Sequence, residues 1–128
     1  MSKRNDREHK EQVALFEWAA YQSGKFKGLE LLFAVPNGAN TSPRAGAYMK
    51  AEGLKSGVPD LVLPIPRGGF HGLFIEFKPT HTPGVTHKTY PSKSQKRWLR
   101  VLSEQGYKAE LCYGFEEAKK TIMDYLSK

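Results

Sequence analysis

Two short apolar runs separated by a proline- and glycine-rich turn constrain the fold of this chain more than any other feature. The runs cover residues 59–64 and 72–78, and Pro66-Arg67-Gly68-Gly69 lies between them. Apolar runs of this length bounded by turn residues predict two strands joined as an antiparallel hairpin. The other elements are therefore expected to pack around this hairpin.

Helical and extended patterns alternate along the rest of the chain. Apolar residues such as Val13, Phe16 and Ala20 recur at helical spacing, and glycines such as Gly53 and Gly106 mark helix ends. The predicted order is α-β-α-β-β-α-β-α, which indicates an α/β domain with a central mixed sheet flanked by helices. The predicted helices cover 8–22, 45–52, 92–105 and 115–126, and two further strands are predicted at 29–35 and 108–113.

The loops are predicted from their turn residues. Pro36-Asn37-Gly38 is a strong turn signal, and a polar loop is expected to follow it through Pro43. Residues 79–91 hold three prolines and a glycine, and we expect them to form a mobile loop. Residues 1–128 are expected to form a single domain, with residues 1–7 as a flexible N-terminus.

Composition indicates which partners and which cellular compartment to expect. Lys and Arg outnumber Asp and Glu by 20 to 13, and a surplus of this kind attracts polyanions such as nucleic acid. No apolar run approaches the roughly 20 residues of a membrane helix, and the charged start lacks the apolar region of a secretory signal. A single cysteine, Cys112, is compatible with a reducing cytoplasm in a bacterial or phage-infected cell, and its apolar neighbours predict a buried structural thiol.

The hairpin places two charges where a buried strand would not ordinarily hold them. Glu76 and Lys78 share one face of the second strand, because residues two apart in a strand point the same way. Phe77 points the other way, so its side chain can enter the core while its backbone carbonyl faces a metal. Asp60 stands at the start of the first strand. Phosphodiester hydrolysis needs a metal held by such oxygens and a cation near the developing charge, which Lys78 would supply.

Each of these signals has an alternative reading when it is taken alone. A Glu-x-Lys pattern also occurs as a surface charge pair at a sheet edge, and Pro59-Asp60 also marks turns. The joint placement of the three charged residues on adjacent strands of a basic domain favours the catalytic interpretation.

The hairpin sequence also resembles a known family. Gly57-Val58-Pro59-Asp60-Leu61 followed by Gly72-Leu73-Phe74-Ile75-Glu76-Phe77-Lys78 is similar to the signature of the VRR-NUC branch of the PD-(D/E)XK nucleases. Pro36-Asn37-Gly38, Ser94-Gln95 and Gly106-Tyr107 resemble landmarks of small stand-alone members from phages and bacteria. The resemblance runs from Glu8 to Leu126 and implies a restriction-endonuclease-like core.

The resemblance implies roles for individual residues. Asp60 and Glu76 would bind Mg²⁺ or Mn²⁺, and Lys78 would position the attacking water or stabilise the transition state. The family places a further glutamate on the first helix. Glu8 and Glu11 both qualify, and Glu8 is preferred because it shares a helical face with Gln12 and Phe16. Either acid could instead serve only the helix dipole.

The resemblance also extends to the helix that follows the loop. Gln95 matches a family glutamine that would support Lys78 or contact phosphate, while a helix-capping role is the alternative. Basic side chains around this helix are candidate phosphate contacts, and a solvated helix face is the alternative for Lys96 and Arg100. The candidate DNA-binding residues are Arg44, Lys50, Lys88, Lys93, Lys96 and Arg97.

Other residues that could carry chemistry are assigned simpler roles. Trp18 and Trp98 are expected in the core. The four histidines lack the spacing of a zinc site, although His81 and His87 could reach DNA from the loop.

The expected function follows from the resemblance. It implies a metal-dependent DNA endonuclease that works as a homodimer and is selective for branched DNA, in the manner of a Holliday junction resolvase. A non-specific or restriction-like nicking nuclease and a non-catalytic DNA-binding protein are the alternatives. No organic cofactor and no membrane partner are expected.

Overall fold

A computed structural model describes residues 6–36 and 42–128 of the chain. Within these ranges four helices surround a four-stranded sheet, and a short 3-10 helix at Leu29–Leu31 precedes the first strand. The elements in chain order are α1 (Asp6–Gln22), β1 (Phe33–Ala34), α2 (Pro43–Ala51), β2 (Leu61–Leu63), β3 (Leu73–Lys78), α3 (Lys93–Glu104), β4 (Lys108–Tyr113) and α4 (Gly114–Leu126).

The sheet has the order β1-β2-β3-β4 and is mixed. The predicted hairpin is confirmed, because β2 and β3 pair antiparallel with Leu61 opposite Ile75. Continuing that register by one residue brings Asp60 opposite Glu76. β3 and β4 pair parallel, and α3 supplies the crossover between them. The α/β fold class with a mixed central sheet is therefore confirmed.

The core lies on the side of β3 that carries Leu73, Ile75 and Phe77, all of which are fully buried. Side chains from α1 and α4 cover this face, and burying each large apolar side chain contributes about 1.5–3 kcal/mol. Tyr125 of α4 adds a hydrogen bond, donated by its hydroxyl to the carbonyl of Ile65 at 2.6 Å. This packing fixes which side of β3 is left for Glu76 and Lys78.

The predicted strand at 29–35 is wrong over most of its length. Leu29–Leu31 forms a 3-10 helix, and only Phe33–Ala34 pairs with β2. Leu29 and Leu32 are buried, and a spacing of three places both on one side of a helical turn. Two prolines, Pro59 and Pro64, flank the shortened strand β2, and neither carries an N–H group for the sheet.

The residues that α1 buries differ from those that the apolar spacing in the sequence predicted. Leu15 and Ala19 are the buried residues of α1, whereas Val13 and Ala20 are exposed and Phe16 is half-buried. α4 packs as its spacing predicts, with Ala118, Ile122 and Tyr125 buried. No helix among the described residues is long and apolar enough to cross a membrane.

Several predicted loop features have a defined outcome. Residues 79–91 contain no helix or strand, and their backbone turns where Val85 and Thr86 donate to the carbonyl of Thr82. Three predicted segments lie outside the described residues: Asn37 and Gly38 of the predicted turn, the polar loop through residue 41, and residues 1–5.

Cys112 is buried as predicted, and burial raises the pKa of its thiol to about 11.

Candidate active site

Asp60 is held at the start of β2 by the backbone of the neighbouring strand. Its Oδ2 accepts a hydrogen bond from the N–H of Phe77 at 2.7 Å. This contact and the β2–β3 register place the Asp60 carboxylate beside Glu76, while the side chain of Phe77 enters the core as predicted.

The residues before Asp60 are anchored on α3. The carbonyl of Ser56 accepts hydrogen bonds from Ser94 Oγ at 2.7 Å and from Trp98 Nε1 at 3.0 Å. Gly57 follows with a φ of +88°, and a Cβ atom there would collide with Ser94. Trp98 is therefore half-buried and joins α3 to this loop, which corrects the expectation of a core tryptophan; Trp18 does pack against the core.

Glu76 is a buried carboxyl group whose surroundings disfavour its charge. It is 2% exposed, and burial together with the adjacent carboxyl of Asp60 raises its pKa to about 9. Its Oε1 has no hydrogen-bond partner among residues 6–36 and 42–128. A buried oxygen without a partner costs free energy, so the site holds an acceptor that the protein itself does not use.

These oxygens fit a divalent cation. Mg²⁺ and Mn²⁺ favour carboxylate and carbonyl oxygens, and Mg²⁺ commonly uses one or two carboxylates and keeps several waters. Across the described part of the chain, no group of three or more Asp, Glu, His or Cys residues is arranged to hold a metal. The protein ligands that fit are thus the carboxylates of Asp60 and Glu76, with the Phe77 carbonyl as the predicted third oxygen.

Lys78 lies beside this pair on the same face of β3. Its Nζ is 3.7 Å from Glu76 Oε2 and 3.1 Å from Gln95 Oε1, and the residue is only 8% exposed. The same Gln95 oxygen accepts from the N–H of Ser92 at 2.8 Å, and Ser92 caps α3 in return. The capping role and the contact with Lys78 were alternatives in the sequence, and Gln95 fulfils both.

The two candidate acids on α1 have different surroundings. The carboxylate of Glu11 accepts from the N–H and hydroxyl of Thr80 and from the N–H of Phe115. Burial alone would raise the pKa of Glu11, but these hydrogen bonds and the nearby Arg7 guanidinium outweigh it and lower the pKa. Glu8 instead acts on Glu76, whose pKa its negative charge raises further. Glu8 is therefore the α1 acid whose charge acts on Glu76, and its role as a metal ligand stays a prediction.

The predicted DNA-binding residues form two groups. Lys93, Lys96 and Arg97 are exposed on the first turns of α3, beside Gln95, and Lys88 is exposed on the loop before them. Arg44 and Lys50 are exposed on α2, a helix that buries none of its side chains. His87 is exposed, whereas His81 is half-buried.

Residues that the sequence did not single out complete the site. Thr80, two positions after Lys78, connects β3 to α1 through Glu11, and the Arg7 guanidinium donates to its carbonyl at 3.2 Å. Tyr113 of β4 is the register partner of Lys78 on the adjacent strand β3. The position of Thr80, just after the strand that carries Glu76 and Lys78, was a usable signal in the sequence. No local sequence pattern marks Arg7 or Tyr113.

Comparison with known proteins identifies the family. The sequence model of the VRR-NUC domain matches residues 6–116, which include Asp60, Glu76 and Lys78. A solved structure described as a VRR_NUC domain protein is similar over 97% of this chain and 91% of its own, with 28% sequence identity and a TM-score of 0.77. A search of curated proteins found no match. VRR-NUC domains are nuclease domains, and the chain belongs to the VRR-NUC family.

Proposed function

We propose that this protein is a DNA endonuclease that depends on Mg²⁺ or Mn²⁺, acts as a homodimer and prefers branched DNA such as a four-way junction. The observation that carries the proposal is the buried Glu76 carboxyl group. It lies between Asp60 and Lys78, and its Oε1 is left without a partner among the described residues.

Asp60 and Glu76 would hold the metal, which when bound polarises a phosphate oxygen and lowers the pKa of a coordinated water. The Phe77 N–H keeps Asp60 in place. Lys78 presents a cation on the same face, where negative charge develops on the phosphate during attack. Gln95 restrains the Lys78 ammonium by accepting one of its protons, so that the cation need not find its position during the reaction.

DNA would approach over the basic side chains near this face. The net charge of +7 attracts the phosphate backbone, and Lys93, Lys96 and Arg97 are exposed on the helix that carries Gln95. Contacts of this kind to phosphates give salt-dependent affinity without base readout.

The preference for branched DNA and the dimer belong together. Resolving a four-way junction requires two symmetric cuts on opposite strands, and a two-fold dimer presents two identical active sites for them. A nuclease that nicks any accessible duplex is the second candidate. The basic side chains near the proposed catalytic face are exposed, and contacts from such side chains to phosphates do not distinguish branched DNA from continuous duplex.

The test is cleavage of a labelled four-way junction beside a linear duplex of the same sequence. We expect paired nicks in the junction with Mg²⁺ or Mn²⁺, no product in EDTA, and a loss of about 10³-fold for Lys78→Ala. Lys120→Ala, which removes an exposed lysine paired with Asp124, is the matched control and should cleave normally.

Each part of the proposal can fail separately. The absence of metal-dependent product from any DNA would exclude the nuclease. Equal rates on junction and duplex would favour the nicking enzyme, and a monomer by light scattering under cleavage conditions would exclude the dimer.

A further inference from the structure

Tyr113 brings an aromatic ring to the catalytic face of the sheet. It is the last residue of β4 and the register partner of Lys78 on β3. Partners on adjacent parallel strands point to the same side of a sheet, so the Tyr113 side chain lies beside Lys78 on the face that carries Glu76.

Tyr113 also anchors the loop between β3 and α3. Its hydroxyl donates to the carbonyl of Thr89 at 2.7 Å. Lys88 Nζ then lies 5.0 Å from the centre of the Tyr113 ring and 5.7 Å from that of Tyr90. A cation within about 6 Å of a ring centre is attracted to the π-face. One lysine thus bridges a ring on the sheet and a ring on the loop.

Tyr90 is exposed despite this anchoring. Its relative exposure is 71%, so its ring contributes little to the core. Pro91 and the α3 cap residue Ser92 follow it directly, and the proline restricts the backbone conformation of Tyr90. Surfaces that stack nucleic-acid bases typically combine an exposed aromatic side chain with a neighbouring basic residue. Tyr90 and Lys88 form such a combination beside the proposed nuclease centre.

We propose that Tyr90, supported by Lys88 and Tyr113, stacks on an unpaired nucleotide next to the phosphate that is cut. This stacking platform takes DNA with an unpaired base at the cleavage point, and it disfavours continuous duplex because the faces of bases inside a duplex are covered by the neighbouring base pairs. The inference rests on the proposed nuclease function and names the feature that its substrate has in common with branched DNA.

The first experiment measures binding and does not depend on cleavage. A duplex with one unpaired 2-aminopurine is titrated with the protein in EDTA, and stacking is read as a change in 2-aminopurine fluorescence. We expect a change with the wild-type protein and with Tyr90→Phe, which keeps the ring, and none with Tyr90→Ala at saturating protein. Tyr21→Ala removes a ring that is 86% exposed on the last turn of α1 and is the matched control.

The second experiment compares cleavage of two substrates, a continuous duplex and the same duplex with one unpaired nucleotide. We expect Tyr90→Ala to reduce cleavage of the second substrate by roughly ten- to hundredfold and that of the first by less than about threefold. Equal losses on both substrates, or an unchanged fluorescence response in Tyr90→Ala, would overturn the stacking platform. A wild-type protein that cleaves neither substrate would overturn the nuclease proposal, while the fluorescence result would still decide the role of Tyr90.

Discussion

The region around Glu11 and the region around Glu76 both place a carboxylate against β3 or the residues that follow it. Around Glu11, three donors from Thr80 and Phe115 point at the two oxygens, and the pKa is lowered. Around Glu76, burial and a second carboxyl group raise the pKa to about 9, and one oxygen has no partner among the described residues.

The comparison distinguishes a carboxylate that stabilises the native state, Glu11, from a buried carboxyl group that lowers its stability, Glu76. Hydrogen bonds to a charged group each contribute roughly 1.5–3 kcal/mol, so the Glu11 region stabilises the native state. A buried carboxyl group without sufficient donors costs free energy, and proteins keep such groups mainly at functional sites. Charge reversal or neutralisation should therefore have opposite consequences in the two regions.

The largest expected effect comes from Glu76→Gln. Removing the carboxylate proposed to bind the metal should reduce cleavage by about 10³-fold or more. In the metal-free protein at pH 8 the Glu76 carboxyl group has to take up a proton to be buried, because its pKa is about 9. Glutamine avoids this cost and should raise the stability by roughly 1–2 kcal/mol. Cleavage assays in Mg²⁺ and urea denaturation in EDTA measure the two changes. Glu116→Gln, an exposed acid on α4, is the control for the loss of one charge. A metal-free Glu76→Gln protein less stable than the wild type would show that the carboxylate is satisfied after all.

Glu11→Ala should produce the reverse pattern. Losing the contacts to Thr80 and Phe115 is expected to lower the free energy of unfolding by roughly 2–4 kcal/mol, which is less than the sum of three separate bonds because water reaches this partly exposed site. Cleavage measured well below the melting temperature should fall only by a few-fold, because the hydrogen bonds of the Glu11 carboxylate are made to Thr80 and Phe115 and not to the proposed metal-binding residues. Glu8→Ala, assayed in parallel, should lose more cleavage and less stability. The opposite ranking would make Glu11 the α1 acid of the active site.

The smallest expected effect is on the pH dependence of the metal-free protein. The Glu11 carboxylate has a lowered pKa, so its stabilisation is present above its ordinary value of 4.5 and is lost as the pH falls below it. The Glu76 carboxyl has a raised pKa, so the stability linked to its protonated form is complete below 4.5 and declines as the pH rises towards 9. Denaturation in EDTA from pH 3 to 10 should show Glu76→Gln removing part of the alkaline decline and Glu11→Gln removing part of the acid decline. Identical slopes for all three proteins would contradict both assignments.

The contrast between the two regions also marks what the sequence could predict. Asp60, Glu76 and Lys78 were predictable because strand alternation and one tight hairpin determine their relative positions within a few residues. The roles of Glu8 and Glu11 were not, because the two acids are nearly one helical turn apart and their directions depend on how α1 is rotated against the sheet. The same rotation buries Leu15 and Ala19 instead of the apolar positions read from the sequence.

The remaining differences arise from contacts between distant segments. Leu29–Leu31 is too short for its periodicity to distinguish a strand from a helical turn, and only its burial below α1 decides the outcome. The hydrogen bond from Tyr113 to Thr89 joins positions 24 residues apart, and nothing in either local sequence marks it. Sequence patterns thus predicted that Asp60, Glu76 and Lys78 lie together, while the contacts that support these residues depend on tertiary packing.

One oxygen atom of Gln95 connects the start of α3, where DNA is proposed to bind, with the position of Lys78. The same Oε1 accepts from the Ser92 N–H, which completes the cap of α3, and from Lys78 Nζ at the catalytic face. The order of the first helical turn and the placement of the lysine are therefore thermodynamically linked, and such linkage is reciprocal. A phosphate that steadied the basic start of α3 would also restrict Lys78, so part of the energy of binding would be converted into alignment of the reacting groups.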